Sequence, residues 1–270
     1  LFWLQVIKGS IYQKLSDQNR IRLISSPPIR GRLLDRNGKL LAGSKFTYTL
    51  SVQPRLLSKD SWPMLRVRLS ELLSLSEASL DLAFKNGISQ DPYRIILANN
   101  LTTKQVLRFK EIERNLIGAQ IDRELLRYYP KGTLAAHVLG YTQPITQKEY
   151  RYLAAKGYEI SDRIGRIGVE AAYESKLRGK WGGEMLEVDA IGSVQRSLGI
   201  KPPVAGKDLY LTIDIDLQIA AEQALMDKKA GAIIALDPRN GAIRAMASRP
   251  NFNPNFFSKA ITTQREYDRL

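Results

Sequence analysis

Side chains able to move a proton or hold a metal are scarce in this chain, and their scarcity bounds its chemistry. There is one histidine, His137, and no cysteine. That excludes multi-histidine metal sites, thiolate zinc sites, iron–sulfur clusters and cysteine nucleophiles. A serine–histidine–aspartate triad would have His137 as its single available base. Carboxylates pair at Asp214/Asp216, Glu111/Glu113 and Glu170/Glu174. Glycoside hydrolysis needs two carboxylates facing one sugar, one of them with a raised pKa, and these short spacings arise readily without that role. Glu170 and Glu174 would share one exposed helix face. Gly165-Arg166-Ile167-Gly168 has neither the three-glycine dinucleotide fingerprint nor a phosphate-loop lysine. His137, between Ala136 and Val138, reads as a hydrogen-bonded structural histidine.

The chain has 270 residues, of which 41 are Lys or Arg and 27 Asp or Glu, for a formal net charge of +14. Hydrophobic residues make up 44%, an ordinary globular composition, and the length suggests two domains with cores of their own. A basic excess suits nucleic acid or an anionic membrane surface, yet no block of five or six like charges occurs. The densest basic stretch spans 8–36, with Lys8, Lys14, Arg20, Arg22, Arg30, Arg32 and Arg36 against Asp17 and Asp35. It follows the apolar opening Leu1-Phe2-Trp3-Leu4-Gln5-Val6-Ile7. That opening is too short to span a bilayer, which takes about 20 apolar residues, and it lacks the marks of a secretory signal. It suits either the interfacial end of a transmembrane helix or the start of a buried amphipathic helix.

The elements that must position these residues follow from local patterning. Residues 30–42 read as a hairpin turning at Asn37-Gly38, and Phe46, Tyr48, Leu50 and Val52 as alternate positions of a half-buried strand. Residues 62–86 are helical in pattern, with Ser76 an N-cap and Gly87 a stop. A helix over 104–115 takes Thr102 or Thr103 as its cap, and Thr146-Gln147-Lys148-Glu149 forms a capping box for a helix ending near Gly157. Residues 168–177 are helical and 184–188 extended. Residues 197–207, with Pro202-Pro203 and two glycines, read as a linker and the domain boundary. Beyond it come a strand over 209–213 and a helix over 216–227, with Leu217, Ala220, Ala221, Ala224 and Leu225 on one face. A hairpin of 232–236 and 242–247 follows. Strands with segregated helices make the fold class α+β.

Three segments have specific spacing. The first is Arg127-Tyr128-Tyr129-Pro130-Lys131-Gly132-Thr133-Leu134-Ala135-Ala136-His137-Val138-Leu139-Gly140-Tyr141. The second is Gly165-Arg166-Ile167-Gly168-Val169-Glu170, running on to Tyr173-Glu174 and Leu177-Arg178-Gly179. The third is Gly206-Lys207-Asp208-Leu209-Tyr210-Leu211-Thr212-Ile213-Asp214, then Asp216-Leu217-Gln218. With Arg30-Gly31 and Asp35-Arg36-Asn37-Gly38 upstream, the ordered set resembles class B penicillin-binding proteins of the elongation type over nearly the whole chain. Leu4-Gln5-Val6, Gly9, Tyr12 and Asn19-Arg20-Ile21-Arg22 resemble the stretch where that family leaves its membrane helix. Gly231 to Asn255, with Ala235-Leu236-Asp237-Pro238 and Asn240-Gly241, looks like the opening hairpin of its transpeptidase domain.

The resemblance implies a single-pass protein of the bacterial inner membrane with this chain on the periplasmic side. A non-catalytic pedestal of the dimerisation type would carry a transpeptidase domain that cross-links peptidoglycan through an acyl-enzyme serine. Family chemistry resides in Ser-x-x-Lys, Ser-x-Asn and Lys-Thr-Gly motifs. None occurs here: Ser58-Lys59, Ser175-Lys176 and Ser258-Lys259 have the wrong spacing, and Lys131-Gly132-Thr133 the wrong order. No catalytic, cofactor-binding or metal residue is therefore carried over. The expected family structural motif is Arg30, Gly31, Asp35, Arg127, Pro130, Gly132, His137, Gly140, Tyr141, Gly168 and Glu170, acting through turn geometry and buried ion pairs. The expected layout is the end of a transmembrane helix and juxtamembrane segment over 1–22, a pedestal over 23–196, a linker over 197–207, and over 208–270 the start of a transpeptidase domain ahead of its serine. Implied partners are a polytopic glycosyltransferase and scaffold proteins of the elongation machinery and the membrane, with β-lactams only in the full-length parent and no nucleic acid. A basic nucleic-acid-binding module would account for the charge but for none of the ordered motifs.

Overall fold

The computed structural model describes residues 21–57, 61–88, 94–188 and 194–258. The expected transmembrane end over 1–22 lies almost wholly outside the described residues. Among the described residues no helix is long and apolar enough to cross a membrane. The architecture is α+β, with strands β1 Ile21–Ser26, β2 Leu33–Leu34, β3 Leu40–Val52, β4 Ile95–Ala98, β5 Ala119–Tyr128 and β6 Thr142–Pro144. They are followed by β7 Arg163–Gly165, β8 Gly182–Val188, β9 Val194–Lys201, β10 Leu209–Tyr210, β11 Gly231–Leu236 and β12 Ile243–Arg249. The chain divides into two compact units, Leu1–Gly31 with Ser175–Lys207 and Arg32–Glu174 with Asp208–Leu270.

The first unit is built on the antiparallel sheet β1-β8-β9. Residues 197–201, expected to begin a linker, instead complete β9. Proline cannot donate to a ladder, so Pro202-Pro203 ends the strand rather than dissolving it. Two passages of chain then lie backbone on backbone. Gly31 N–H donates to Leu177 O and Gly206 N–H to Ile29 O, both at 2.8 Å. A Cβ at Gly31 would come within 2.0 Å of Lys207 O, and one at Gly206 within 1.8 Å of Leu177 O. No residue but glycine fits that approach.

In the second unit β3 pairs with β5 over ten residues, from Gly43↔Tyr128 to Val52↔Ala119. Leu50 and Val52 point into a core completed by Leu69, Leu80, Ile95 and Phe109, which come from β4 and three helices, Ser61–Leu73, Glu77–Ile88 and Thr103–Ile112. Of the four alternate positions expected on the buried face of β3, Leu50 and Val52 are buried, but so are the residues between and before them. Phe46 and Tyr48 are exposed while Thr49 and Ser51 are buried. Ser51 and Thr49 donate to Asp122 and Glu124 on β5, and Arg94 binds both carboxylates, so the polar face is covered as well. Arg123 lies 3.8 Å from the Phe46 ring centre, a cation–π cover. Gly87 is not a stop, since its helix runs on to Ile88. A Cβ there would meet Ile95 Cγ2 at 2.3 Å, so this glycine admits β4.

Local signals place most remaining elements. Thr102 with Gln105 and Thr146 with Glu149 each form a complete capping box. Leu33↔Ala42 and Leu34↔Leu40 close the first hairpin, with Gly38 at φ 81°. The strand expected over 209–213 is only β10, parallel to β2, because Asp214 already caps the next helix, Ile215–Ala224. That helix buries Ile215, Gln218 and Ala221; of the expected face Ala221 and Leu225 are buried, whereas Ala220 and Ala224 are exposed. Leu217 is exposed, and Gln218 holds the β12 backbone through Met246 N–H and C=O.

Candidate functional site

Arg127, near the end of β5, aims its guanidinium at Glu170 in the short helix Gly168–Ala172. Nε lies 2.6 Å from Oε1, with the side chains 2% and 0% exposed. Tyr129, 1% exposed, donates its hydroxyl to the same oxygen at 3.3 Å. This is the centre of the site, and it corrects the expectation of an exposed Glu170/Glu174 face. The helix breaks at Tyr173, so the two glutamates sit on separate short helices. Glu174 instead accepts from Gly165 N–H at 3.0 Å. A buried charge is tolerable only when paired and hydrogen-bonded.

Glycines let backbone close around this pair. A Cβ at Gly140 (φ 78°) would stand 1.9 Å from Ile167 O, and one at Gly168 (φ 62°) 2.5 Å from Val138 O. The helix Ala136–Leu139 thus meets the Glu170 helix with no side chain between. Pro130 and Gly132 form the turn after β5, where Gly132 N–H donates to Tyr129 O. Ala135, at φ 55°, gives its N–H to Glu222 at 2.6 Å, which ties the turn to the Ile215–Ala224 helix.

A strap from 250 to 257 crosses the same layer. His137 Nε2 donates to Pro250 O at 2.9 Å; a carbonyl only accepts, so Nε2 carries the proton. The His137 ring meets Phe252 edge-on at 5.1 Å, and Tyr141 stacks on Phe257 at 3.8 Å. Asn255 accepts from Tyr129 N–H and donates to Tyr129 O. The structure therefore gathers Arg127, Pro130, Gly132, His137, Gly140, Tyr141, Gly168 and Glu170. Asp35 lies elsewhere in the same unit, fully buried, accepting from Asn37, Lys39 and Ile215 N–H groups. Arg30 and Gly31 belong to the other unit. Sequence reasoning missed Asn255, Phe252 and Phe257. Their signal was the run Phe252-Asn253-Pro254-Asn255-Phe256-Phe257, a turn-forming Asn-Pro-Asn wrapped in aromatics too dense for a solvated loop.

The family model for the penicillin-binding protein dimerisation domain matches residues 25–211. This chain belongs to the penicillin-binding proteins. Over 99% of its length it is 39% identical to the peptidoglycan D,D-transpeptidase MrdA of Acinetobacter baumannii, covering 39% of that protein. It is 34% identical to MrdA of Escherichia coli over 100% of its length, covering 43% of that protein. Both place it with the class B elongation type, in the N-terminal part. The chain thus spans about two fifths of the length of these curated relatives. Its fold is similar to that of a solved complex between penicillin-binding protein (PBP2) and MreC from Helicobacter pylori. The TM-score is 0.78 at 24% identity, covering 93% of this chain and 47% of that one.

In the other carboxylate pairs of this penicillin-binding protein chain, Asp214, Asp216 and Glu113 have structural partners. Asp214 accepts from Asp216 and Leu217 N–H as a helix cap, Asp216 binds Lys39 at 2.7 Å, and Glu113 binds Lys110 at 2.7 Å. Arg32 clasps Asp208 at 2.6 Å, holding that carboxyl below its usual range. No group of three or more potential metal ligands occurs among the described residues. What the site can do chemically is hold backbone in place.

Proposed function

We propose that this chain is the non-catalytic N-terminal part of a peptidoglycan D,D-transpeptidase of cell-wall elongation. In this reading residues 23–196 are the pedestal and 208–270 open the transpeptidase domain, which the pedestal positions. The longer protein is anchored by a single helix in the inner membrane, with this chain on the periplasmic side. It works with a polytopic glycosyltransferase and scaffold proteins, and β-lactams acylate only the longer protein. The carrying observation is the docking of residues 250–257 onto the buried Arg127–Glu170 hub. A pedestal that positions a catalytic domain needs such a joint. The relatives named as D,D-transpeptidases and the solved complex with MreC support the activity and the scaffold partner.

The test is incubation with a fluorescent penicillin followed by denaturing electrophoresis. This chain is expected to show no labelled band, because it has no Ser-x-x-Lys, whereas the longer protein that contains it is labelled. A stoichiometric adduct on this chain would overturn the proposal.

A further inference from the structure

The strap owes little to its own secondary structure. It holds only one short 3₁₀ segment, Pro254–Ser258, yet it is gripped along its length. His137 takes Pro250 O, Arg163 Nη2 takes Phe257 O at 2.5 Å, and Tyr141 stacks on the Phe257 ring. Between these lies the most specific contact. The Asn255 carboxamide accepts from Tyr129 N–H at 3.0 Å and donates to Tyr129 O at 2.8 Å, as a neighbouring strand would. Among side chains only Asn and Gln offer an amide donor and acceptor side by side. The Asn255 backbone N–H is itself held by Asn253 Oδ1 at 3.0 Å, which fixes where the carboxamide starts. Tyr129 cannot yield, since it is buried and its hydroxyl is engaged by Glu170.

We infer that Asn255 is a positioning residue of the transpeptidase. By clamping the strap to the Arg127–Glu170 hub it sets the entry of the chain that runs on toward the nucleophilic serine. This inference rests on the reading that the longer protein is a serine acyl-transfer enzyme. Asn255 touches no substrate; it acts through the backbone it anchors. A nucleophile displaced by about 1 Å loses on the order of 10²-fold in rate.

The experiment uses the longer protein, and measures acylation by fluorescent penicillin with saturation separating binding from the chemical step. Asn255→Ala is expected to slow the chemical step by about 10- to 10²-fold and to leave penicillin's preceding binding constant unchanged. Asn255→Asp keeps an acceptor for Tyr129 N–H but turns a carboxylate oxygen toward Tyr129 O. Protonation gives that oxygen a hydrogen to donate. The rate of Asn255→Asp relative to the unsubstituted protein is therefore expected to rise as pH falls from about 8 to about 5, toward carboxyl protonation. Lost stability alone would not restore rate on acidification, and this variant decides the matter if Asn255→Ala fails to fold. Unchanged acylation by folded Asn255→Ala, or a flat ratio for Asn255→Asp across that range, overturns the positioning role. Absence of any acylation in the unsubstituted longer protein overturns the transpeptidase reading instead.

Discussion

Arg127 and Glu170 meet where water does not reach, 43 residues apart in sequence. Desolvating both charges costs several kcal/mol per ion, which their attraction offsets only with good geometry and further hydrogen bonds. Tyr129 supplies one such bond. Removing one partner leaves the other buried and uncompensated. Glu170→Ala is therefore expected to lower the unfolding free energy of this chain by about 3–5 kcal/mol, read from the urea midpoint at unchanged m-value. Glu170→Gln should cost less, because its carbonyl still accepts from Arg127 and Tyr129. A loss within the range of a surface substitution, about 0.5 kcal/mol, would show that the pair is not the joint described above.

Short helices in this chain depend on their ends. Gln147–Leu153 has seven residues, too few to persist on propensity. Its capping box and Arg166 hold it at one end. The Arg166 guanidinium, and then Thr146 N–H, pull the Glu149 carboxyl from 4.5 down to about 2 against the opposing effect of burial. A folded value below the unfolded one means that Glu149 stabilises the fold fully above about 4.5, and that this is lost as pH falls through about 2. Its side chain is 35% exposed, so solvent screening keeps the energy small, and the titration itself is the better readout. Carboxyl NMR is expected to give a midpoint near 2, moving upward in Arg166→Ala. A midpoint at the ordinary carboxylate value in the unsubstituted chain would rule the ion pair out.

The second unit is unevenly supported. The β3–β5 ribbon is covered on both faces at its Leu50–Val52 end, by the apolar core around those residues and by the Arg94–Asp122–Glu124 network. The β11–β12 hairpin is a two-stranded sheet. The Ile215–Ala224 helix covers one face through Ala221, Ala245 and Ala247, while Ile234 and Leu236 remain 61% and 57% exposed. Two strands are marginal in water, and an apolar edge invites association. Amide exchange is expected to be slow across residues 43–52 and 119–128, and markedly faster across 231–236. Equal protection of the hairpin and the ribbon would show that the hairpin is self-sufficient.

Interactions confined to a few neighbouring residues were legible in the amino-acid order. The capping box at Thr146, a cap at Thr102 or Thr103, the turn at Asn37-Gly38 and the α+β class all depend on bonds between residues two to five apart or on simple periodicity. The ordered Arg, Gly and Pro positions likewise pointed to family membership. Tertiary structure alone decided where a polar side chain finds its partner. Glu170 is buried because Arg127 waits for it, Thr49 and Ser51 because β5 brings carboxylates opposite them, and Gly87 matters because β4 arrives. Asn255 meets Tyr129 across 126 residues. Whether such a residue lies in water or in a joint is set by which distant backbone the fold carries against it, and no local pattern encodes that approach.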